Sequence, residues 1–319
     1  MTAPWFKAHP PERMFLAAAC IAFPAFVYAV AFWQIAGRRL VPGELTTADL
    51  GIAFVERSPA SLAADLAARE TYLIASVAML LIAVISFGYA LGAIRRSRGT
   101  TVMAVAGLFA VIVGGVALAY QGNPLRDLVV EAPLDAASPW GAEAMREGMR
   151  LFVSINTFLG LAAVGAMMIR FADLALGSPN GADDPAEGAD RGGELREALV
   201  VGSAILTSAT VATYFYYHYP LALMTEASAK AFAPLSALGS LRWGAAYAAI
   251  LAAAAAPAVA ALVAERKASP QRQAGDRADT GWMNAEAWSA RIKAFGALLA
   301  IIAPAVATPI LEVLAPLLK

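Results

Sequence analysis

Side chains able to hold a proton or an ion inside an apolar environment are rare in this chain, and most lie in two short stretches. The first is TSATVATYFYYHYP at 207–220, where four hydroxyl residues lead into four tyrosines and His218, one of only two histidines. The second is IIAPAVATPILEVLAPLLK at 301–319, which carries Glu312 among prolines at 304, 309 and 316. A histidine or carboxylate within hydrocarbon is a candidate ion or proton site, because burying a charge there costs several kcal/mol. At headgroup level the same residues are ordinary interfacial side chains. Tyrosine favours that level, its ring in lipid and its hydroxyl in water.

For His218 the expectation is the interface. Four tyrosines within six residues surround the helix, so they read as a belt at the outer membrane boundary rather than a one-sided pocket. The alternative is a pH-sensitive gate at the outer mouth of a pore. For Glu312 the expectation is again the outer interface, with Pro309 kinking the helix. The alternative is an ion site in which Thr308 and Glu312 join carbonyls freed by Pro304 and Pro309.

Below the tyrosines, Ser203, Thr207, Thr210 and Tyr214 recur every three or four residues and so share one helix face, with Thr213 close by. Their hydroxyls can bond back to carbonyls of their own helix. Even so, this is the best pore-lining stripe in the chain, expected to face Asn156 or water rather than lipid. Asn156 itself, beside Ser154 and Thr157, is expected to hydrogen-bond across helices, with pore lining as the alternative. Gly88 and Gly92 form a GxxxG pattern, and Pro257 interrupts the alanine-rich run GAAYAAILAAAAAPAVAALVAE. Both read as helix-packing features, with oligomerisation as a further possible use.

The elements that carry these residues follow from composition. The chain has 319 residues, 60% hydrophobic and 15% charged, whereas soluble domains run at about 45–50% apolar and about 25% charged. The apolar runs are continuous rather than alternating, which indicates helices and not a barrel. The fold class expected is therefore an all-α polytopic membrane bundle. Seven runs reach the roughly 20 residues that cross a bilayer, at about 14–35, 72–94, 101–120, 150–170, 198–219, 243–264 and 294–316. Loops at 177–194 and 268–281 read as mobile cytoplasmic linkers, rich in glycine, proline and acids or in polar residues. The outer loops carry short amphipathic helices; in 45–70, Ser58-Pro59 separates two of them and Ser61 caps the second. Lysine and arginine favour a cytoplasmic N-terminus and an outer C-terminus, in a bacterial inner membrane.

Several functions are disfavoured. Zero net charge gives no bulk attraction to nucleic acid. One cysteine, Cys20, precludes an internal disulfide and a cysteine-rich metal site. The chain lacks a Walker A loop, a dinucleotide fingerprint, HExxH and a nucleophile elbow, so no cofactor and no metal are expected. Scarce intramembrane ionisable groups argue against a proton relay and against an acid–base enzyme within the bilayer. The function expected is a channel or passive transporter for a small ion or solute. The alternative is a non-catalytic subunit or scaffold that meets other membrane subunits or further copies of itself within the lipid bilayer. An envelope- or lipid-modifying enzyme using outer-loop carboxylates ranks third.

Overall fold

The structure is a computed structural model and describes residues 11–35, 51–56, 58–94, 129–130, 133, 142–177, 185–268 and 301–312. The expected span at 101–120, the flanks of the one at 294–316, and nearly all of the linker at 268–281 lie outside the described residues. Regular structure among the described residues is helical: α1 (Pro11–Ile35), α2 (Pro59–Ile94), α3 (Ala142–Leu176), α4 (Pro185–His218), a 3-10 turn (Tyr219–Leu223), α5 (Glu226–Ala268) and α6 (Ile301–Glu312). Five of these, α1 to α5, are long and apolar enough to cross a membrane. They mark an integral membrane protein, and α6 is a shorter apolar helix.

The helices run longer than the apolar segments that define them. At 1.5 Å per residue, the 36 residues of α2 extend about 54 Å, beyond the roughly 30 Å of a bilayer core. The expectation of a separate short helix after Ser58 is therefore corrected, since that segment forms the first turns of α2. Ser58, not Ser61, is its N-cap. The Ser61 amide donates to Ser58 Oγ at 3.2 Å and the Ser58 amide donates to Ser61 Oγ at 2.8 Å. This is a reciprocal capping box with Pro59 at the first helical position. Likewise, most of the segment 221–241 belongs to α5, which starts at Glu226 after the 3-10 turn and two non-helical residues.

The linker expected at 177–194 is also shorter than its composition implied, because α4 begins at Pro185. Ion pairs explain the difference. Arg191 pairs with Glu265 of α5 at 2.5 Å and donates to the Leu174 carbonyl at the end of α3. Arg170 pairs with Asp173 and Glu194, each at 2.8 Å, and Arg13 of α1 donates to the Leu176 carbonyl at 3.3 Å. Two arginines thus satisfy terminal carbonyls of α3, where the helix dipole is negative. Gly177 ends the helix at φ +75°, a conformation that suits glycine, and a Cβ there would run into both guanidinium groups. The network joins α1, α3, α4 and α5 at one end of the bundle.

The opposite end is held differently. Asp65, fully buried near the start of α2, accepts from the Tyr219 hydroxyl at 2.7 Å and from Arg69 Nε at 2.9 Å. The Val55 amide donates to the Leu223 carbonyl at 3.0 Å and the Thr225 amide to the Ala53 carbonyl at 2.9 Å, so the loop at 51–56 is ordered against the start of α5. Between the two ends, α3 and α4 are the most enclosed spans, whereas α1 and α2 expose Phe15, Phe26, Ile74 and Ile85.

Close contact is clearest where α5 passes α4 and α6. A Cβ on Gly244 would lie 2.6 Å from the Pro304 carbonyl oxygen and 3.2 Å from Thr210 Cγ2. Gly244→Ala should therefore lower stability by about 1–3 kcal/mol, read as an earlier thermal unfolding midpoint in mild detergent. Asp65→Ala should lower it by about 2 kcal/mol or more, because Arg69 and the Tyr219 hydroxyl lose their shared acceptor.

Candidate functional site

A cavity of about 200 Å³ lies inside the bundle, lined from α1, α2, α3, α4 and α5. A site for one water needs only about 10–15 Å³ on the same measure, so this space admits a molecule. Its wall is largely aromatic. Tyr28 of α1 and Trp243 of α5 have ring centroids 6.3 Å apart, and Trp243 and Tyr247 are 5.6 Å apart. On α2 and α4, Tyr72 and Tyr216 are 5.7 Å apart, and Tyr216 and Tyr217 are 5.8 Å apart. Two groups of three rings, each built from two helices, therefore border one space.

The remaining polar lining is Asn156, Thr157 and Thr213. Asn156 is 7% exposed, and its Oδ1 has no hydrogen-bond partner within the described protein. An unsatisfied buried carbonyl oxygen is costly, and a donor in the cavity, a water or a guest, would satisfy it. No lining residue is a carboxylate, histidine, lysine or arginine. Recognition here rests on ring faces, hydroxyls and one amide. One turn on from the asparagine, Gly160 has the methyl of Met79 at 2.9 Å from where its Cβ would be, so α2 and α3 meet closely there.

The residues singled out from the sequence separate into two places. Asn156 and Thr213 line the cavity. Tyr214, His218 and Glu312 meet elsewhere, on the side of α4 that faces α6. His218 stacks on Tyr214 with centroids 3.9 Å apart, and its Nε2 lies 3.1 Å from Glu312 Oε1. Thr210 packs beside Gly244 and donates to its own helix at the Leu206 carbonyl, 2.9 Å away. Thr207 and Thr308 have buried hydroxyls without a partner among the described residues, and Ser203 is buried. None of these seven places a side chain in the cavity wall. Pro257 is buried within α5; Gly88 and Gly92 are exposed, with nothing described within 4 Å of an added Cβ.

The tyrosine belt is corrected. Tyr214, Tyr216, Tyr217 and Tyr219 are 4%, 8%, 2% and 2% exposed, so they are interior side chains rather than a lipid-facing ring. The end of α4 is enclosed by α2, the 3-10 turn and α5, and all sides of the helix find protein there. His218, also half-enclosed, is an ion-pair partner rather than a lone interfacial group. Tyr28, Tyr72, Trp243 and Tyr247 were not anticipated. Their one sequence signal is that each is an aromatic with a polar atom within or beside a long apolar run, where a buried hydroxyl or indole N–H usually requires a partner.

The His218 contact has a defined proton requirement. Nδ1 lies 2.8 Å from the Tyr214 carbonyl, which only accepts, so Nδ1 carries a hydrogen. Nε2 of a neutral ring would then turn a lone pair towards Glu312. Attraction requires one further proton, on either the ring or the carboxyl group. The approach has ion-pair distance without an aligned hydrogen bond. A double-mutant cycle with His218→Gln and Glu312→Gln should show a favourable coupling of about 0.5–1.5 kcal/mol in thermal or chemical unfolding. Strict additivity would mean that the two side chains do not interact.

In comparisons with known proteins, no family model matches the chain, and no curated protein and no solved structure matches it significantly.

Proposed function

We propose that the chain is a passive transporter that receives a small organic solute in the aromatic cavity. The cavity of about 200 Å³ carries this reading. A concave, largely apolar space with a few convergent polar groups is the usual form of a small-molecule site, and between bundle helices is a usual place for one. Its lining lacks the paired titratable groups that acid–base catalysis needs, which favours binding and passage over reaction. The route differs from the one expected of Thr207 and Thr210. It runs beside Asn156 and Thr213, on another face of α4.

The reading includes seven spans, with the N-terminus cytoplasmic and the C-terminus outside. Two observations support it. Helix α2 ends, and α3 also ends, at the arginine-bonded end of the bundle, as Tyr89 near the end of α2 reaches Glu197 of α4 at 3.4 Å. Two successive described helices of the same direction need a crossing between them, and 101–120 is the apolar run there. Arg13, Arg170 and Arg191 share that end, Arg95, Arg96 and Arg98 follow α2 in the sequence, and Arg266 and Lys267 belong to the last turn of α5. This agrees with the excess of lysine and arginine on cytoplasmic sides.

The single buried cysteine permits a test that needs no knowledge of the solute. On a Cys20→Ser background, Thr213→Cys and Asn156→Cys are placed in liposomes and exposed to a small membrane-impermeant thiol reagent from either side. Passage predicts labelling from each side in separate experiments. Labelling from one side only reduces the cavity to a binding pocket, and labelling from neither makes it a closed void; both outcomes overturn transport.

A further inference from the structure

The ring geometry of the cavity narrows the class of guest, an inference that takes its site from the transport reading above. Each ring face carries the negative part of an aromatic quadrupole, and the edges carry the positive part. Six rings border this space in two groups, Tyr28–Trp243–Tyr247 and Tyr72–Tyr216–Tyr217. The amide oxygen of Asn156 adds a further negative dipole without a partner. No lysine, arginine or histidine lines the cavity to offset these. An anion would thus find no counter-charge, only neutral hydroxyl and N–H donors.

Cations remain, and the lining distinguishes among them. A small hard ion such as sodium or calcium gives up a tight hydration shell and needs several oxygen ligands in return. The cavity offers one amide and two threonine hydroxyls besides its phenols, and no carboxylate. A cation whose charge is spread over methyl or methylene groups gives up less hydration and gains from several ring faces at once. Tryptophan is the strongest single partner for such a charge, and Trp243 stands between Tyr28 and Tyr247. We infer that the cavity is an aromatic cage for a small organic monocation of the quaternary or tertiary ammonium type.

The test compares charge at constant shape. Purified full-length protein in lipid nanodiscs is titrated by calorimetry with choline, with tetramethylammonium, and with 3,3-dimethylbutan-1-ol, the uncharged carbon isostere of choline. The expected result is at least tenfold tighter binding of choline than of the isostere, unchanged when sodium replaces an inert osmolyte. Trp243→Leu should weaken choline at least tenfold while Trp243→Phe stays within about threefold, each checked for an intact unfolding transition. The comparison in the unaltered protein stands even where a variant fails to fold. Equal or tighter binding of the isostere, or no binding of either, overturns the cage. If thiol labelling from both sides holds in that case, the transport reading survives with a different solute. If choline binds but labelling is one-sided, the cage survives and transport fails.

Discussion

Hydrocarbon offers neither hydrogen bonds nor screening, and this constraint orders the whole bundle. The buried charged residues among those described, Asp65, Arg170 and Arg191, lie towards its two ends and are paired there. At one end Arg13, Arg170 and Arg191 bind carboxylates of neighbouring helices, and Arg13 and Arg191 also bind terminal carbonyls of α3. One guanidinium thereby meets two needs, a counter-charge and the unsatisfied acceptors of a helix end. At the other end Asp65 is completely buried, a position tolerable only because Arg69 and Tyr219 supply three contacts to its carboxylate.

These ends leave the middle of the bundle to uncharged side chains. Where alanine and glycine dominate, as along α5 and at Gly244, helices approach closely. Large aromatic side chains do the opposite. Trp243 and the tyrosines of α1, α2, α4 and α5 are too bulky and too rigid to interlock fully, and a cavity persists among them. Packing a core of alanine below and rings above thus produces a tight end and a chambered end from one set of helices. The same five-residue run of α4, Tyr214–His218, serves both the cavity, through Tyr216 and Tyr217, and the contact with α6, through Tyr214 and His218. Successive helical positions point in different directions, so one stretch can supply two sites.

Much of this was legible in the residues and much was not. Helical class and the location of the long apolar segments could be read directly, as could the N-terminal signal at Ser58-Pro59, although its cap was assigned to the wrong serine. Asn156 and Thr213 were recognised as polar groups at membrane depth, and both line the cavity. The spacing of Ser203, Thr207, Thr210 and Tyr214 groups them on one helix face, yet it carries no information on the direction of that face. In a soluble helix, the polar side marks water and the apolar side marks the core. In a membrane helix, lipid and core are both apolar, so periodicity does not tell which face turns inward.

The sequence by itself determined the solvent of this protein and the segments that enter it, because transfer from water to hydrocarbon is a local sum over side chains. It also determined that buried charge would be scarce. Only the tertiary structure decided which polar residues meet. Tyr28 and Trp243 are separated by most of the chain and come together through the rotation and pairing of α1 and α5, which depend on how all the helices pack. The tyrosines of α4 read as a boundary with lipid until neighbouring helices enclosed them. Their chemistry is the same in either setting, and enclosure is what makes them the wall of a site.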